Sequence, residues 1–303
     1  MDNQKIANLL ETTVRGQIRI DEPMSCHTSF HIGGPADVLV IPEDVEDIRA
    51  LLKTARDNNI PLTVLGNGSN VLVRDKGIRG IVMKMGNALK YRKKDGRAFS
   101  FGSGISLAQC CRIIAEEGLT GMEFASGIPG SLGGAVYMNA GAYDGEMKNI
   151  VRSVLVMNRF GQIKTLQNED LDFSYRHSAL QGADYIVIEV CIQAETGNKK
   201  EIFEKMEDFN RRRISKQPLE LPSAGSTFKR PEGHFAGYLI EQCGLKGFRI
   251  GGAEVSPKHA GFIVNAGQAT AADVLQLIEH VQTSVRNEYG VKLEPEILVL
   301  GEK

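Results

Sequence analysis

Glycine is concentrated in one stretch of the sequence, residues 121–147, which reads GMEFASGIPGSLGGAVYMNAGAYDGEM and contains seven glycines. A glycine inside a helix costs about 1 kcal/mol relative to alanine, so we predict that this stretch is not an ordinary helix. Glycine permits positive φ angles and close approach of the backbone to another group. Backbone N–H groups that converge in this way form a cradle for an anion, most often phosphate. A glycine-rich turn within the core is the alternative, and on this stretch alone both remain open.

A second polar glycine turn, GNGSN at residues 66–70, follows a predicted strand at 61–65. Asn and Ser side chains can donate to phosphate oxygens alongside the backbone. The turn is not G-x-G-x-x-G, because Val71 stands at the third glycine position, and no Gly-Lys-Ser/Thr follows it. A dinucleotide-binding Rossmann site and a P-loop therefore both fit poorly. A β-hairpin turn is the alternative.

The last third of the chain is polar and basic. In the segment 223–231, SAGSTFKRP, the small neighbours of Ser226 predict an exposed hydroxyl, with Lys229 and Arg230 close behind it. The run Arg211-Arg212-Arg213 is either a substrate patch or a solvated helix end. The pattern as a whole suggests a large phosphate-bearing cofactor held by the first two-thirds and a substrate region in the last third.

Composition narrows the class of protein. The chain has 303 residues, 42% hydrophobic and 24% charged, which is typical of a globular protein with two or three domains. The net charge of −1 implies no general attraction to nucleic acid or to an anionic membrane. No apolar run reaches the length of a membrane span, and no signal peptide is evident at the N-terminus. The five cysteines lack C-x-x-C spacing, so we expect reduced thiols, a cytoplasmic location and no metal site.

Hydrophobic periodicity predicts the elements that must position these residues. A helical lead-in is expected over residues 1–22, and Ser106 is expected to cap the helix that runs through Glu117. Predicted helices cover 44–58, 106–117, 201–213, 235–243 and 270–288. Predicted strands cover 38–42, 61–65, 78–85, 151–158, 162–166, 185–193 and 291–300.

Five motifs occur in one order along the chain: GNGSN at 66–70, GIPG with a following GG at 127–134, SYR at 174–176, AGS at 224–226 and LEPE at 293–296. Together they resemble the UDP-N-acetylenolpyruvoylglucosamine reductase (UDP-N-acetylmuramate dehydrogenase) family of bacterial cell-wall synthesis, from Thr28 to about Gly301. The compact segment between Tyr175 and Lys216 resembles the shorter, second type of this family.

The resemblance implies an α+β architecture: a vanillyl-alcohol-oxidase/PCMH-type FAD-binding fold of two α/β subdomains, plus a C-terminal α+β substrate domain. We expect a lead-in helix at 1–22, FAD-binding subdomains at 23–90 and 91–196, and the substrate domain at 197–303. It also implies noncovalent FAD, since no His stands where a covalent link could be argued. The positions that match the FAD-binding motifs are Gly66, Asn67, Gly68, Ser69, Asn70, Ser126, Gly127, Ile128, Pro129, Gly130, Gly133 and Gly134.

The same resemblance implies a reaction. NADPH reduces the flavin and leaves, and the UDP-N-acetylglucosamine-enolpyruvate substrate then binds in the same place. Hydride passes from flavin N5 to the terminal carbon of the enolpyruvyl group, and a proton is added beside the carboxylate. Arg176 matches the arginine that stabilises the enolate, Ser226 the proton donor, and Glu296 the glutamate that assists at the carboxylate. We expect Glu296 to be protonated beside the anionic substrate.

Substrate contacts are expected from a further set of positions. Lys216, Lys229 and Arg230 are candidates for the UDP phosphates, Tyr175 for packing near the sugar, and His259 for a polar contact. Arg230 departs from the Asn that the longer type of the family has at that place. We expect a monomer that binds neither nucleic acid nor membrane. Two alternatives stay open: an FAD-dependent oxidase of the same fold, and a nucleotide-sugar-binding module without turnover.

Overall fold

The computed structural model describes residues 2–86 and 89–303, which form two compact units. Each unit is assembled from three segments of the chain, so neither is a continuous stretch. Unit 1 comprises residues up to Ile20, then Val38–Asn67 and Gly80–Arg213. Unit 2 comprises Asp21–Asp37, Gly68–Arg79 and Ile214–Lys303. The predicted subdomain boundaries stay a prediction.

The helices form where apolar residues recur at helical spacing behind a capping side chain. Asp44 accepts the N–H groups of Glu46 and Asp47, and Thr270 and Asp273 form a reciprocal capping box. No helix in the described ranges is both long and apolar enough to cross a membrane. The helices are α1 (Asn3–Glu11), α2 (Val45–Asp57), α3 (Leu107–Glu116), α4 (Leu132–Tyr137), α5 (Lys199–Lys216), α6 (Ala236–Gln242) and α7 (Ala271–Tyr289).

The strands are mostly short. They are β1 (Gln17–Pro23), β2 (Pro35–Ile41), β3 (Leu62–Leu65), β4 (Val71–Val73), β5 (Ile78–Lys84), β6 (Arg92–Asp95), β7 (Ala98–Gly102), β8 (Leu119–Thr120), β9 (Gly141–Ala142), β10 (Gly145–Glu146), β11 (Val151–Asn158), β12 (Ile163–Gln167), β13 (Tyr185–Gln193), β14 (Glu195–Thr196), β15 (Arg249–Ile250), β16 (Ala253–Val255), β17 (Ile263–Asn265) and β18 (Leu298–Leu300).

Unit 1 is organised around two sheets. The antiparallel sheet has the order β12-β11-β13-β7-β6, and the other, most of whose residues belong to unit 1, has the order β1-β2-β5-β3. Strand β13 alternates between buried and partly exposed residues, as a strand with one core face should. It contributes Val190 and Ile192 to the core beneath α3 and α4, and Ile186 and Ile188 to the core beneath α2.

Unit 2 has its own core. The antiparallel sheet β15-β16-β17 packs against α7, and a separate parallel pair joins β18 to β4. The buried face of α7 is the predicted one, with Val274, Leu277 and Val281 inward, and the helix ends at Gly290 with φ of +68°. Left-handed backbone of this kind favours glycine after a helix.

Two predictions about elements were wrong. The lead-in helix stops at Glu11, and the alternating residues from Gln17 onward form β1 instead; the first residue of that prediction lies outside the described residues. The predicted strand 291–300 is a strand only over Leu298–Leu300, because Pro295 has no N–H to donate to a ladder. Most of the glycine stretch is not helical, as predicted; it contains one short helix, α4, in which Gly133 allows a tertiary contact with Ser103.

Candidate active site

The glycines in the loop 126–134 permit backbone angles and close contacts that other residues would not. Gly130 has φ of +144°, a conformation open to glycine alone among ordinary residues. A Cβ on Gly133 would lie 2.8 Å from the Cβ of Ser103, so any side chain there would force the backbones apart. Gly133 of α4 therefore allows the loop to pack directly against the end of β7. Tertiary contact overrides the unfavourable helix propensity of glycine.

The N–H groups of this loop divide into two sets. Those of Leu132, Gly133 and Gly134 donate within the protein, to Ile105 O, Ser103 O and Ser131 Oγ at 2.8, 2.9 and 3.4 Å. Among the described residues, no acceptor is found for the N–H groups of Gly127, Gly130 and Ser131. The hydroxyls of Ser103 and Ser126 are also buried without a partner among those residues. Unpaired donors at this density are unusual in a folded chain and fit an anionic ligand.

The turn 66–70 is a connection rather than a hairpin. Its flanking strands pair elsewhere, β3 with β5 and β4 with β18, so the hairpin alternative is wrong. In unit 1, a Cβ on Gly66 would lie 2.4 Å from Ser131 Oγ, so the structure brings this glycine to the loop 126–134. In unit 2, Gly68 has φ of +66°, and its Cβ would lie 2.1 Å from His27 O. The backbone path requires glycine at position 68, whereas Gly66 leaves room for the Ser131 side chain.

Arg176 occupies a tight turn in unit 1. Ser174 and His177 exchange two backbone hydrogen bonds of 3.2 and 3.0 Å, which leaves Tyr175 and Arg176 at the tip. Arg176 has φ of +56°, which is strained for a residue with a side chain. Its guanidinium lies over the Tyr175 ring, 5.0 Å from the centroid, and donates to Gly141 O at 3.3 Å. Backbone strain of this kind is common at functional sites.

The side-chain amides of Asn139 and Gln181 donate hydrogen bonds to the backbone of this turn. Asn139 is fully buried; its Nδ2 donates to Ser174 O at 2.9 Å and to Glu146 Oε2 at 3.0 Å, and its Oδ1 accepts the Lys148 N–H at 2.9 Å. Gln181 Nε2 donates to the carbonyl of Arg176 itself, at 3.0 Å. The backbone of the turn is thus bound on both sides of Tyr175.

We expect Asn139→Ala to lower the free energy of unfolding by about 3 kcal/mol, because it removes three hydrogen bonds made by a fully buried side chain. Urea denaturation would measure the change. Asn8→Ala is the matched control, since Asn8 is exposed and accepts a single bond from Gln4; its effect should stay within about 0.5 kcal/mol. Equal effects of the two substitutions would contradict the structural role of Asn139.

Ser226 and Glu296 belong to two paired segments of unit 2. Gly225, with φ of +77°, turns the chain so that Ser226 is exposed, as predicted, while the next residue, Thr227, is buried. Thr227 O accepts the N–H of Glu296 at 2.8 Å, and Asn70 Nδ2 donates to Glu296 O at 3.2 Å. The structure therefore brings the AGS and LEPE motifs side by side, with the end of the GNGSN turn beside them.

The proposed phosphate-binding cations of unit 2 differ in their surroundings. Lys216 is exposed at the end of α5. Lys229 is half-buried and lies 3.8 Å from the carboxylate of Glu294, and its N–H donates to Glu294 O at 2.8 Å. The exposed Arg230 stacks over the Phe235 ring, 4.1 Å from the centroid. A guanidinium held on an aromatic ring has a defined direction, which suits recognition of an anion.

His259 is held as a neutral ring. Its Nδ1 accepts the N–H of Gly261 at 3.1 Å, which assigns the ring proton to Nε2. Burial lowers the pKa of His259, and the nearby cations Lys246 and Lys216 lower it further. His259 can therefore serve as a hydrogen-bond donor through Nε2, near Lys216 in unit 2. Among residues 2–86 and 89–303, no cluster of three His, Cys, Asp or Glu side chains is arranged to hold a metal ion.

Several polar residues near these motifs do not stand out in the sequence. Ser103, Asn139 and Gln181 carry no spacing signal, because their roles depend on which segments meet in space. The arginine run is different: Arg211 and Arg212 lie three and four residues after Asp208, which predicts ion pairs with it, whereas Arg213 falls on another face.

The fold and the glycine loops define the class of protein. A family model described as an FAD binding domain matches residues 36–167, and a second, described as the C-terminal domain of UDP-N-acetylenolpyruvoylglucosamine reductase, matches residues 217–300. The chain is accordingly an FAD-binding protein of α+β architecture.

Whole-chain relatives narrow this class to a family. The UDP-N-acetylenolpyruvoylglucosamine reductases of Lachnoclostridium phytofermentans and Caldanaerobacter subterraneus are 49% and 50% identical to this chain, over 99% and 98% of it and 97% and 98% of their own lengths. The crystal structure of the same enzyme from Thermus caldophilus superposes with a TM-score of 0.80 at 37% identity, covering 94% of this chain and 99% of that one. This chain belongs to the UDP-N-acetylenolpyruvoylglucosamine reductase family.

Family membership confirms several predictions. The vanillyl-alcohol-oxidase-type FAD-binding fold, the FAD cofactor and the assignment to an oxidoreductase of peptidoglycan precursor synthesis are confirmed. The observed donors fit this cofactor, because its diphosphate needs many hydrogen bonds at close backbone approach. The individual site residues, noncovalent attachment and the order of ligand binding stay predictions.

Proposed function

We propose that this chain reduces the enolpyruvyl group of UDP-N-acetylglucosamine-enolpyruvate to give UDP-N-acetylmuramate, with NADPH as the source of electrons. The observation that carries the proposal is the hydrogen bond between Glu296 N–H and Thr227 O, which pairs the segment that bears Glu296 with the segment that bears the exposed Ser226 in unit 2. A proton donor and a group that binds a carboxylate are the two functions that reduction of an enolpyruvate requires.

FAD, when bound, supplies the hydride that adds to the terminal carbon of the substrate's double bond. The electron pair of that bond then moves toward the substrate carboxylate and forms an enolate. Arg176 stabilises this charge, because a planar and permanently charged guanidinium can donate two parallel hydrogen bonds to a carboxylate. The contact with Tyr175 and the strained turn hold the guanidinium in one orientation, which limits the reorganisation needed during reaction.

Ser226 donates its hydroxyl proton to the carbon beside the carboxylate, and solvent returns a proton to the serine oxygen. A hydroxyl is a weak acid, so it can act here only because the enolate carbon is strongly basic. Glu296 assists by hydrogen bonding to the substrate carboxylate, for which it must carry a proton. Lys216, Lys229, Arg230 and His259 supply donors for the diphosphate and the sugar. The same proposal includes a monomer that acts in the cytoplasm.

An anaerobic visible spectrum tests the proposal. The purified protein should show oxidised flavin that bleaches with NADPH and returns only when the enolpyruvyl UDP-sugar is added. Recovery with oxygen alone, and indifference to the sugar, would replace the proposal with the oxidase. A protein that neither contains nor takes up FAD would contradict both. Light scattering should give the mass of a single chain.

A further inference from the structure

The hairpin β9–β10 in unit 1 has an unfavourable residue at its tip. Its two central residues, Tyr143 and Asp144, have φ of +50° and +63°. Positive φ at both positions is the pattern of a type I′ turn, which favours Asn and Gly. A bulky side chain is sterically strained in this region of backbone space, whereas glycine is not. The turn itself therefore does not explain a tyrosine at position 143.

The side chain of Tyr143 makes two contacts with α5. Its ring stacks on the Phe209 ring, with 4.3 Å between centroids and 3° between planes, and its hydroxyl donates to Phe209 O at 2.9 Å. A carbonyl oxygen has two lone pairs, so a carbonyl of a helix can accept such a bond beside the helical one. Phe209 is partly buried and packs against the core of unit 1. The tip of the hairpin is thus fixed to a helix that the core holds in place.

The first strand of the hairpin contacts Arg176. Gly141 O, in β9, accepts a hydrogen bond from the Arg176 guanidinium at 3.3 Å. Strand β9 pairs with β10 over only two residues, and a hairpin of this length has little stability of its own. The second strand is anchored through Glu146, whose carboxylate accepts from the buried Asn139 at 3.0 Å. The contact at the tip therefore restrains the position of Gly141 O.

We propose that Tyr143 is a positioning residue for Arg176: by fixing the hairpin to α5, it fixes the carbonyl that orients the guanidinium. Backbone strain that the surrounding structure maintains is typical of functional sites, and Arg176 itself has φ of +56°. A guanidinium held in place before reaction needs less reorganisation when charge develops. The inference rests on the proposed function for the role of Arg176 at the enolate, whereas the coupling of the two side chains does not.

Three variants test the proposal. Tyr143→Phe keeps the stacked ring and removes the hydroxyl. Tyr143→Asn suits the turn and removes both contacts with α5. Asp144→Gly is the matched control, because it relieves strain at the neighbouring, exposed position of the same turn and leaves Tyr143 in place.

The first measurement is the mobility of the Arg176 guanidinium in the holoenzyme. Nitrogen-15 relaxation of its Nε–Hε group gives an order parameter, and the signal is assigned by its loss in Arg176→Lys. We expect the order parameter to fall in Tyr143→Asn, to fall less in Tyr143→Phe and to stay unchanged in Asp144→Gly. This measurement needs no turnover, so it decides the positioning role even if reoxidation by the sugar, and with it the proposed function, fails.

The second measurement is the rate of each half-reaction by stopped flow. Tyr143→Asn should slow reoxidation by the enolpyruvyl UDP-sugar by about threefold to thirtyfold, the range typical of a residue that acts through another. Flavin reduction by NADPH should be unchanged. In an Arg176→Gly background, the same substitution should slow reoxidation by less than about twofold, because the residue through which Tyr143 acts is absent.

Two outcomes would overturn the proposal. In the first, Tyr143→Asn leaves the mobility of the Arg176 guanidinium unchanged; a lower melting temperature in that case would assign Tyr143 only a structural role at α5. In the second, Tyr143→Asn slows reoxidation by the same factor with and without Arg176, so that its effect does not pass through the arginine.

Discussion

Ser226→Ala is expected to lower kcat by about 10²- to 10⁴-fold, the contribution typical of a positioned general acid. The loss should fall entirely on the second half-reaction. Reduction of the flavin by NADPH requires no proton from Ser226, so its rate in stopped-flow measurements should be unchanged. Reoxidation by the enolpyruvyl UDP-sugar should become slow, because the enolate is left without a proton donor.

Two further variants serve as controls for this prediction. Ser223→Ala alters a hydroxyl in the same loop and should leave both half-reactions near their wild-type rates. Ser226→Cys restores a donor that can lose a proton, so it should recover part of the lost activity. Equal slowing of both half-reactions by Ser226→Ala would show that the residue supports the fold or the cofactor, and would contradict its role as the acid.

The elements that the sequence predicts well are those with a local cause. Helix α7 could be predicted with its inner face and both ends because a threonine caps it, apolar residues recur at helical spacing and a glycine ends it. The three strands around the turn at 160–161 also match, because alternation and turn chemistry agree there. The FAD-binding class is expected from the family resemblance that five motifs carry in order along the chain, which no single motif would establish.

The parts that could not be predicted depend on contacts distant in sequence. Helix α4 forms despite two glycines because Gly133 must approach Ser103, about thirty residues earlier. The end of the chain pairs with two different segments, the AGS loop and β4, so its hydrophobic run is not one strand. Arg213 could have been separated from Arg211 and Arg212 by its spacing from Asp208, but the helix face that meets Gly127 is visible only in the structure.

Arg176→Gly is expected to lower kcat by about 10²- to 10³-fold, the cost of removing one preorganised stabiliser of a developing oxyanion. The same substitution should not destabilise the fold. Arg176 adopts φ of +56°, which costs a residue with a side chain about 1–2 kcal/mol and costs glycine little. That gain offsets the lost contacts with Gly141 O and the Tyr175 ring. We therefore expect a melting temperature equal to or above that of the wild type.

Asp144→Gly is the control, because glycine is expected to raise stability at this position without lowering activity. Asp144 also has a positive φ, +63°, and its side chain is exposed, so glycine should relieve strain there without affecting turnover. Arg176→Lys should recover only part of the rate, because an ammonium cannot donate two parallel bonds to the substrate carboxylate. A fall in both stability and kcat for Arg176→Gly would mean that the strained turn is held by Arg176 itself. Unchanged stability with a large loss of kcat would mean that the fold keeps an arginine in an unfavourable conformation for its chemistry.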